Sequence, residues 1–427
     1  MTMRNLLMLL GPGLVFAATS IGVSHVVQST RAGADFGYWL VGLIILAHLV
    51  KLPFFQAGPR YAAATGENLL DAYHRMGRRF YIPVVLITFS TMFIIQAAVT
   101  IVAAGVIANI LPFGWSIGVW SALVLFASMI LLITGGYALL NKLMKIMMLV
   151  FMVLCVITLV ATVFTDMPPL PAGAPVAAPL LDAASIAFMV ALVGWMPTAI
   201  EVSVWHSFWV VEQQKLEQQT PESQQGTQVA SLQRLKNRLL DFNMGYLFCC
   251  LLALLFLSLG AQILYGRGIE LSNSAIGFSA QLIDIFTQVL GDWSRPVVAI
   301  LIFIAMFSTC IAVADGFSQV ITRIAEKQLH LSDEQHQLSY HLSIPVIAAG
   351  GLAIILLFSG QLKSLVDFAT TVSFLAAPWF AWLNMKALKL GHVPEDCRVS
   401  PGYYLFTKCC LFCLTGFAIF YLLWLLI

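Results

Sequence analysis

The sequence predicts an all-α membrane protein of about eleven transmembrane helices, two of them broken, arranged as two inverted repeats of five plus one further helix. Three observations predict it. First, of 427 residues 60% are hydrophobic and only 10% charged, where a soluble domain carries about 25% charge to face water. Second, apolar runs long enough to cross roughly 30 Å of hydrocarbon at about 1.5 Å per residue recur along the whole chain. Third, two of these runs, at corresponding positions of the two halves, are interrupted at mid-depth by glycine, proline and hydroxyl residues.

The predicted spans run 5–29, 36–57, 81–111, 116–137, 142–166, 181–211, 239–265, 278–322, 342–360, 363–387 and 403–427. Residues 5–166 make the first repeat, 181–387 the second, and 403–427 an additional helix, all within one domain, 1–427. Spans 81–111 and 278–322 exceed one crossing, so each extends into water or includes an interfacial piece. Arg4 ahead of an apolar run resembles a signal peptide, but no small-residue cleavage site follows, so the run reads as the first span.

Lys and Arg collect in cytoplasmic loops. An inside N-terminus leaves only Arg31, Arg267, Arg295 and Lys363 of the 22 Lys and Arg outside. The chain is therefore expected in the plasma (inner) membrane with its N-terminus cytoplasmic and its C-terminus outside. His48 and Lys51 fall near the inner end of the second span and read as interfacial. The Gln-rich stretch from Glu212 to Gln228 reads as a solvated linker. The eight cysteines lie in apolar runs or cytoplasmic loops and suggest no disulfide framework. The net charge of +2 points to no nucleic-acid partner. No hydrolase triad, phosphate loop, redox motif or zinc-spaced set appears, so neither enzyme activity nor a cofactor is expected.

In lipid each unpaired backbone group costs several kcal/mol, so a helix breaks only where the freed groups meet protein, a cavity or a ligand. The first span breaks within Thr19-Ser20-Ile21-Gly22-Val23-Ser24-His25, and the sixth within Gly194-Trp195-Met196-Pro197-Thr198, where the proline removes a donor. Paired breaks at matching positions of two repeats point to a midplane transport site. The candidate substrate-binding residues are Gly22, Ser24, His25, Gln28, Gln96, Gly194, Trp195, Met196, Thr198 and Glu201. Glu201, one turn past the second break, is an intramembrane carboxylate and so a functional candidate by default. Asp315, with Ser308 and Thr309 in the eighth span, joins it as a candidate for the coupling ion or proton. Trp195 has the position to cover a substrate, whereas Trp205, Phe208 and Trp209 read as packing.

These residues carry a family likeness. Gly11-Pro12-Gly13, the break, and Gln28 to Tyr38 resemble the first span of the NRAMP-type divalent-metal transporters, which begin G-P-G, break at D-P-G-N and continue to Q-A-G-x-x-x-G-Y. Met196-Pro197 resembles that family's M-P in the sixth span, and Ala64-Thr65-Gly66 with Leu69 and Leu70 its T-G-x-x-L segment. The resemblance implies the LeuT-type five-plus-five fold. It also implies secondary active transport of a divalent metal, coupled to a proton or cation, by a monomer or weak oligomer in the bilayer.

The sequence departs from the family at the ligands. The family's metal-binding Asp falls on Gly22 and its Asn on His25. Its M-P-H-N reads Met196-Pro197-Thr198-Ala199, and the third span has no acid between Val84 and Leu111, where Gln96 is the most polar side chain. Two cargoes stay open. His25, Met196 and Glu201 as metal ligands suit a borderline or soft transition ion. Hydroxyls and half-helix N-termini suit a small organic solute, amino-acid-like or carboxylate. A membrane sensor or partner-binding protein that does not transport is the third reading.

Overall fold

The computed structural model describes residues 11–164, 182–218, 231–358 and 360–426; the start of the first expected span and most of the Gln-rich linker lie outside them. Among the described residues eight helices are long and apolar enough to cross a membrane, and Ile146–Thr162 is a shorter apolar stretch. With the two broken spans, these account for the eleven expected.

The first span is α1 (Pro12–Ser20), a π-helical turn (Ser24–Ser29) and α2 (Thr30–Phe36). Next come α3 (Val41–Thr65), the short α4 (Leu69–Met76), α5 (Arg78–Ile110) and α6 (Ile117–Phe164). The sixth span is α7 (Ala183–Gly194) and α8 (Val202–Gln218), followed by α9 (Ser231–Ile263), α10 (Ala275–Leu290), α11 (Arg295–Leu329), α12 (Asp333–Leu357), α13 (Leu362–Ala387) and α14 (Pro401–Trp424).

Several ends lie seven to nine residues from expectation, as at Phe36, Ser231 and Asp333, and three differences change the architecture. Spans four and five form one helical run, α6, which a straight rod would stretch to about 72 Å. It is not straight. A Cβ at Gly135 would lie 2.6 Å from the Leu139 Cβ, where residues four apart on a regular helix have Cβ atoms about 5–6 Å apart. The long eighth run divides at Gly291 (φ +89°) into α10 and α11, so its surplus length is a separate helix. The second span continues past Lys51 to Thr65, through Pro53 and Pro59, and stops at Gly66, which is left-handed (φ +74°). Asn68 then caps α4 by accepting from the Asp71 N–H at 3.0 Å.

Both halves of the first span pack on α9. The contacts are too close for side chains. A Cβ at Gly13 would lie 2.4 Å from the Asp241 carbonyl oxygen, and one at Gly245 2.4 Å from the Gly13 carbonyl oxygen. On the other half, a Cβ at Gly33 would lie 2.0 Å from the Leu257 oxygen and one at Gly260 2.3 Å from the Thr30 oxygen. Small residues at such crossings let backbones approach, the main source of helix association in lipid. Asp241 also accepts the Gly11 and Gly13 amides at 3.1 and 2.8 Å, which supplies donors at the start of α1 with the carboxylate a helix N-terminus favours. The G-P-G motif is thus a docking point. Outward faces are apolar, with Phe412 81% exposed, as lipid contact requires.

Candidate functional site

The first break falls at Ile21 and Gly22, between α1 and the π-turn. Gly22 is needed there: a Cβ would come within 2.8 Å of Thr309 on α11. Thr309 Oγ1 in turn donates to the Ala18 carbonyl at 2.9 Å, fastening α11 to α1. Ser24 bridges the two breaks, its hydroxyl 2.9 Å from the Pro197 carbonyl. It is also within 2.7 Å of the Ser20 carbonyl.

The second break spans Trp195 to Glu201 and contains a cis Met196–Pro197 peptide. Between the breaks lies a cavity of about 20 Å³, lined by Thr19, Ser20, Ser24, Trp195, Thr198, Glu201 and Thr309 among others. That is about the room one water needs. Its wall is mainly apolar with five hydroxyl side chains set in it, and Glu201 is its one acid among the lining residues. Glu201 is 5% exposed. Its Oε2 receives only a long contact from Thr91 Oγ1 at 3.5 Å, and Oε1 meets no protein donor among the described residues. Neither His25 nor His206, the partners a structural role would use, reaches it.

Of the expected binding residues, Ser24, Trp195, Thr198 and Glu201 line the cavity, and Gly22 shapes it through Thr309. The others do not. His25 is fully buried, with Nδ1 2.8 Å from the Ser20 carbonyl and Nε2 2.9 Å from the Cys249 carbonyl. Met196 sits in an apolar cluster with Phe36, Ile44 and Phe374. Gln28 donates to Asp367 at 3.0 Å, next to the Arg31–Asp367 ion pair at 2.6 Å. Gln96 lies within 3.1 Å of Thr100 Oγ1 and 3.4 Å of the Cys310 carbonyl. Gly194 packs its Cα against the Thr370 carbonyl.

Among the coupling candidates, Thr309 lines the cavity and Ser308 donates back to Ala305 at 2.7 Å. Asp315 accepts from Trp209, Gln319 and Tyr340 at 2.6–2.7 Å, away from the cavity wall. The suggested metal set His25, Met196 and Glu201 is therefore not assembled, and no group of three His, Cys, Asp or Glu side chains placed to hold a metal occurs among the described residues.

Thr19 and Ser20 also line the cavity although only named as part of the break, and two further residues were read differently in the sequence. Trp205, read as packing, lines the cavity with Trp195. Lys51, read as interfacial, is fully buried. Its ammonium donates to the carbonyls of Val193 at 2.6 Å, Gly194 at 2.8 Å and Thr198 at 3.3 Å. The signal for it was a lysine inside an apolar run that continues past Pro53 instead of ending there.

The family described as natural resistance-associated macrophage protein-like matches residues 13–425. This chain belongs to the Nramp family. A relative, an uncharacterized protein of Pasteurella multocida (strain Pm70), is 33% identical over 386 residues, covering 90% of this chain and 85% of its own. In fold the chain is similar to the Eremococcus coleocola manganese transporter in complex with an aromatic bis-isothiourea compound (TM-score 0.68, 15% identity, 98% of this chain and 86% of that one). It is also similar to MhsT in complex with L-phenylalanine (TM-score 0.63, 13% identity, 96% and 97%) and to Mhp1, a nucleobase-cation-symport-1 family transporter (TM-score 0.58, 16% identity, 97% and 92%). The fold is the LeuT type, and this Nramp protein is an integral membrane transporter, not an enzyme. Within the Nramp framework it has Gly22 and His25 where the D-P-G-N motif has its ligands, and its cavity wall is correspondingly poor in anionic oxygen.

Proposed function

We propose that this Nramp-family protein is a proton-coupled secondary transporter of the inner membrane, N-terminus inside and C-terminus outside, moving a small organic solute by alternating access between the two breaks. The observation that carries it is Glu201: a buried carboxyl in the cavity with one oxygen meeting no protein donor. An intramembrane acid so placed is a functional group by default, and without a cationic partner it is suited to taking up and releasing a proton as each side opens.

The cargo follows from the wall. A divalent cation leaving water must recover tens of kcal/mol of hydration, which several anionic oxygens normally supply. Glu201 alone does not match that requirement, with the His25 nitrogens facing carbonyls and Met196 turned into an apolar cluster. Ser24, Thr198 and Thr309 together with Trp195 and Trp205 in a mainly apolar wall favour an organic solute, such as a short carboxylate or amino-acid-like compound, for which a protonated Glu201 is a hydrogen-bond donor. The family-level cargo, a divalent metal, is the second reading, supported by the manganese transporter among the structural neighbours.

The test pairs a thermal-stability screen of the purified protein with uptake into proteoliposomes. Organic carboxylates or amino acids are expected to stabilise it and to accumulate with an inward proton gradient, while manganese and cadmium leave it unchanged. Metal stabilisation lost in His25→Ala or Met196→Ala reverses the cargo assignment. Failure to move any solute, with a partner protein co-purifying, overturns the transport reading. Glu201→Gln is expected to keep its folded stability and lose proton-driven accumulation at least tenfold; unaltered uptake removes Glu201 from the mechanism.

A further inference from the structure

Lys51 stands in the middle of α3, fully buried, and no charged group acts as its partner among the described residues. Its ammonium instead reaches the far end of another span. α7 ends at Gly194, where the last carbonyls of a helix lack intrahelical partners and carry the negative end of the macrodipole. The Val193 and Gly194 carbonyls belong to that end, and the Thr198 carbonyl to the unwound stretch beyond it. All three converge on one point, 2.6, 2.8 and 3.3 Å from Nζ.

The donor count fits the charged form. An ammonium offers three N–H groups and no acceptor, one for each carbonyl, whereas a neutral amine would turn its lone pair towards one of them. The arrangement also has the chemistry of a monovalent-cation cage, since half-helix C-termini and unwound carbonyls are the groups with which transporters of this architecture hold small cations. A side chain from a neighbouring helix has taken the ion's place.

We propose that the Lys51 ammonium is a tethered resident cation in a cage formed by the Val193, Gly194 and Thr198 carbonyls, and that removing the side chain opens this cage to a free monovalent cation. The cage adjoins the cavity facing Glu201 through Thr198, whose carbonyl faces Lys51, and the inference does not depend on what the transporter carries. The cation is covalently attached, so the three carbonyls keep a donor at the second break whether or not sodium or potassium is present.

The experiment compares melting temperatures of the purified protein and its Lys51→Ala variant in choline chloride and in sodium, potassium, ammonium, methylammonium and ethylammonium chlorides. Lys51→Ala is expected to melt well below the wild type in choline and to recover in a saturable manner with the small alkylammonium ions, while the wild type responds to none of the salts beyond choline. Lys51→Met, one atom shorter and uncharged, is expected to be destabilised and rescued less than Lys51→Ala by the alkylammonium ions, because its side chain fills the space of the lysine stem. The proposal is overturned if Lys51→Met melts with the wild type, or if no cation raises Lys51→Ala more than the wild type. Should Lys51→Ala fail to fold in choline, the folded yield after expression and solubilisation with ethylammonium decides: recovery supports the cage, and no recovery overturns it.

Discussion

The two breaks solve one problem in opposite ways. At the first, the groups that tie the opened backbone are largely local: Ser24 and His25 both reach back to the Ser20 carbonyl, and Gly22 clears room for Thr309. At the second, the exposed carbonyls receive their donors from Lys51, 142 residues away from the nearer of them. The first is held by side chains of the segment itself together with the Thr309 hydroxyl from α11, the second by one long side chain from a different span. The difference teaches that a break's polarity is set by what its backbone meets: the first is lined by hydroxyls and the second is a group of carbonyls facing an ammonium, and the cavity with Glu201 lies where they meet.

The largest test of this contrast is Lys51→Ala. It takes the lysine donor from the Gly194 and Thr198 carbonyls, while Val193 keeps the Met196 N–H at 3.3 Å, and at about 1–3 kcal/mol per unsatisfied buried group the loss is expected to reach roughly 2 kcal/mol or more, read as a fall in melting temperature. A loss no larger than for Ser24→Ala would erase the asymmetry. Gly22→Ala comes next. The added methyl meets Thr309 and is expected to cost about 1–3 kcal/mol, with much of it returned in the Gly22→Ala, Thr309→Ala double variant; strict additivity would show that the crowding lies elsewhere. Ser24→Ala removes the link between the breaks and should cost about 1 kcal/mol in the same measurement.

The smallest effect lies outside the spans, where neither break reaches. Partial burial raises the Glu67 carboxyl, but hydrogen bonds from Arg75 and Tyr61 outweigh it and hold the group below the usual carboxylate range. A depressed native pKa means that the stabilisation is complete above the unfolded value of about 4.3 and disappears as pH falls through the native one. For a pair this exposed the amount is under about 1 kcal/mol. Glu67→Gln should abolish that acid-side slope by lowering stability above pH 5 by the same small amount and matching the wild type at low pH, and an unchanged slope would locate the titration elsewhere.

Most of the fold was legible because it depends on local signals: apolar length located the spans, and glycine, proline and hydroxyls located both breaks. Ser24, Trp195, Thr198 and Glu201 were recognisable as cavity residues because they sit in or beside those breaks. What was not legible depends on pairing across the chain. Lys51 followed by Leu52 and Pro53 has the pattern of a helix approaching water, and only the carbonyls of another span reveal that the helix continues with its charge inside. Met196 failed for the converse reason: a sulfur beside a proline in a break matches a ligand in pattern, while its direction, into the cluster around Phe36 and Phe374, is decided by packing. Spans four and five were divided at Gly135-Gly136 and the polar Asn141-Lys142, whereas the backbone stays helical through them.

The glycine crossings on α9 have a mechanical consequence. Gly245 and Gly260 lie about 22 Å apart along one rod and clasp opposite sides of the same joint, so that rod works as a splint across a fracture. Neither fragment can swing at Ile21 and Gly22 by itself; either the splint flexes with it or a clasp slides. Bulk added at Gly245 or Gly260 would therefore alter how the joint moves without touching anything the cargo meets.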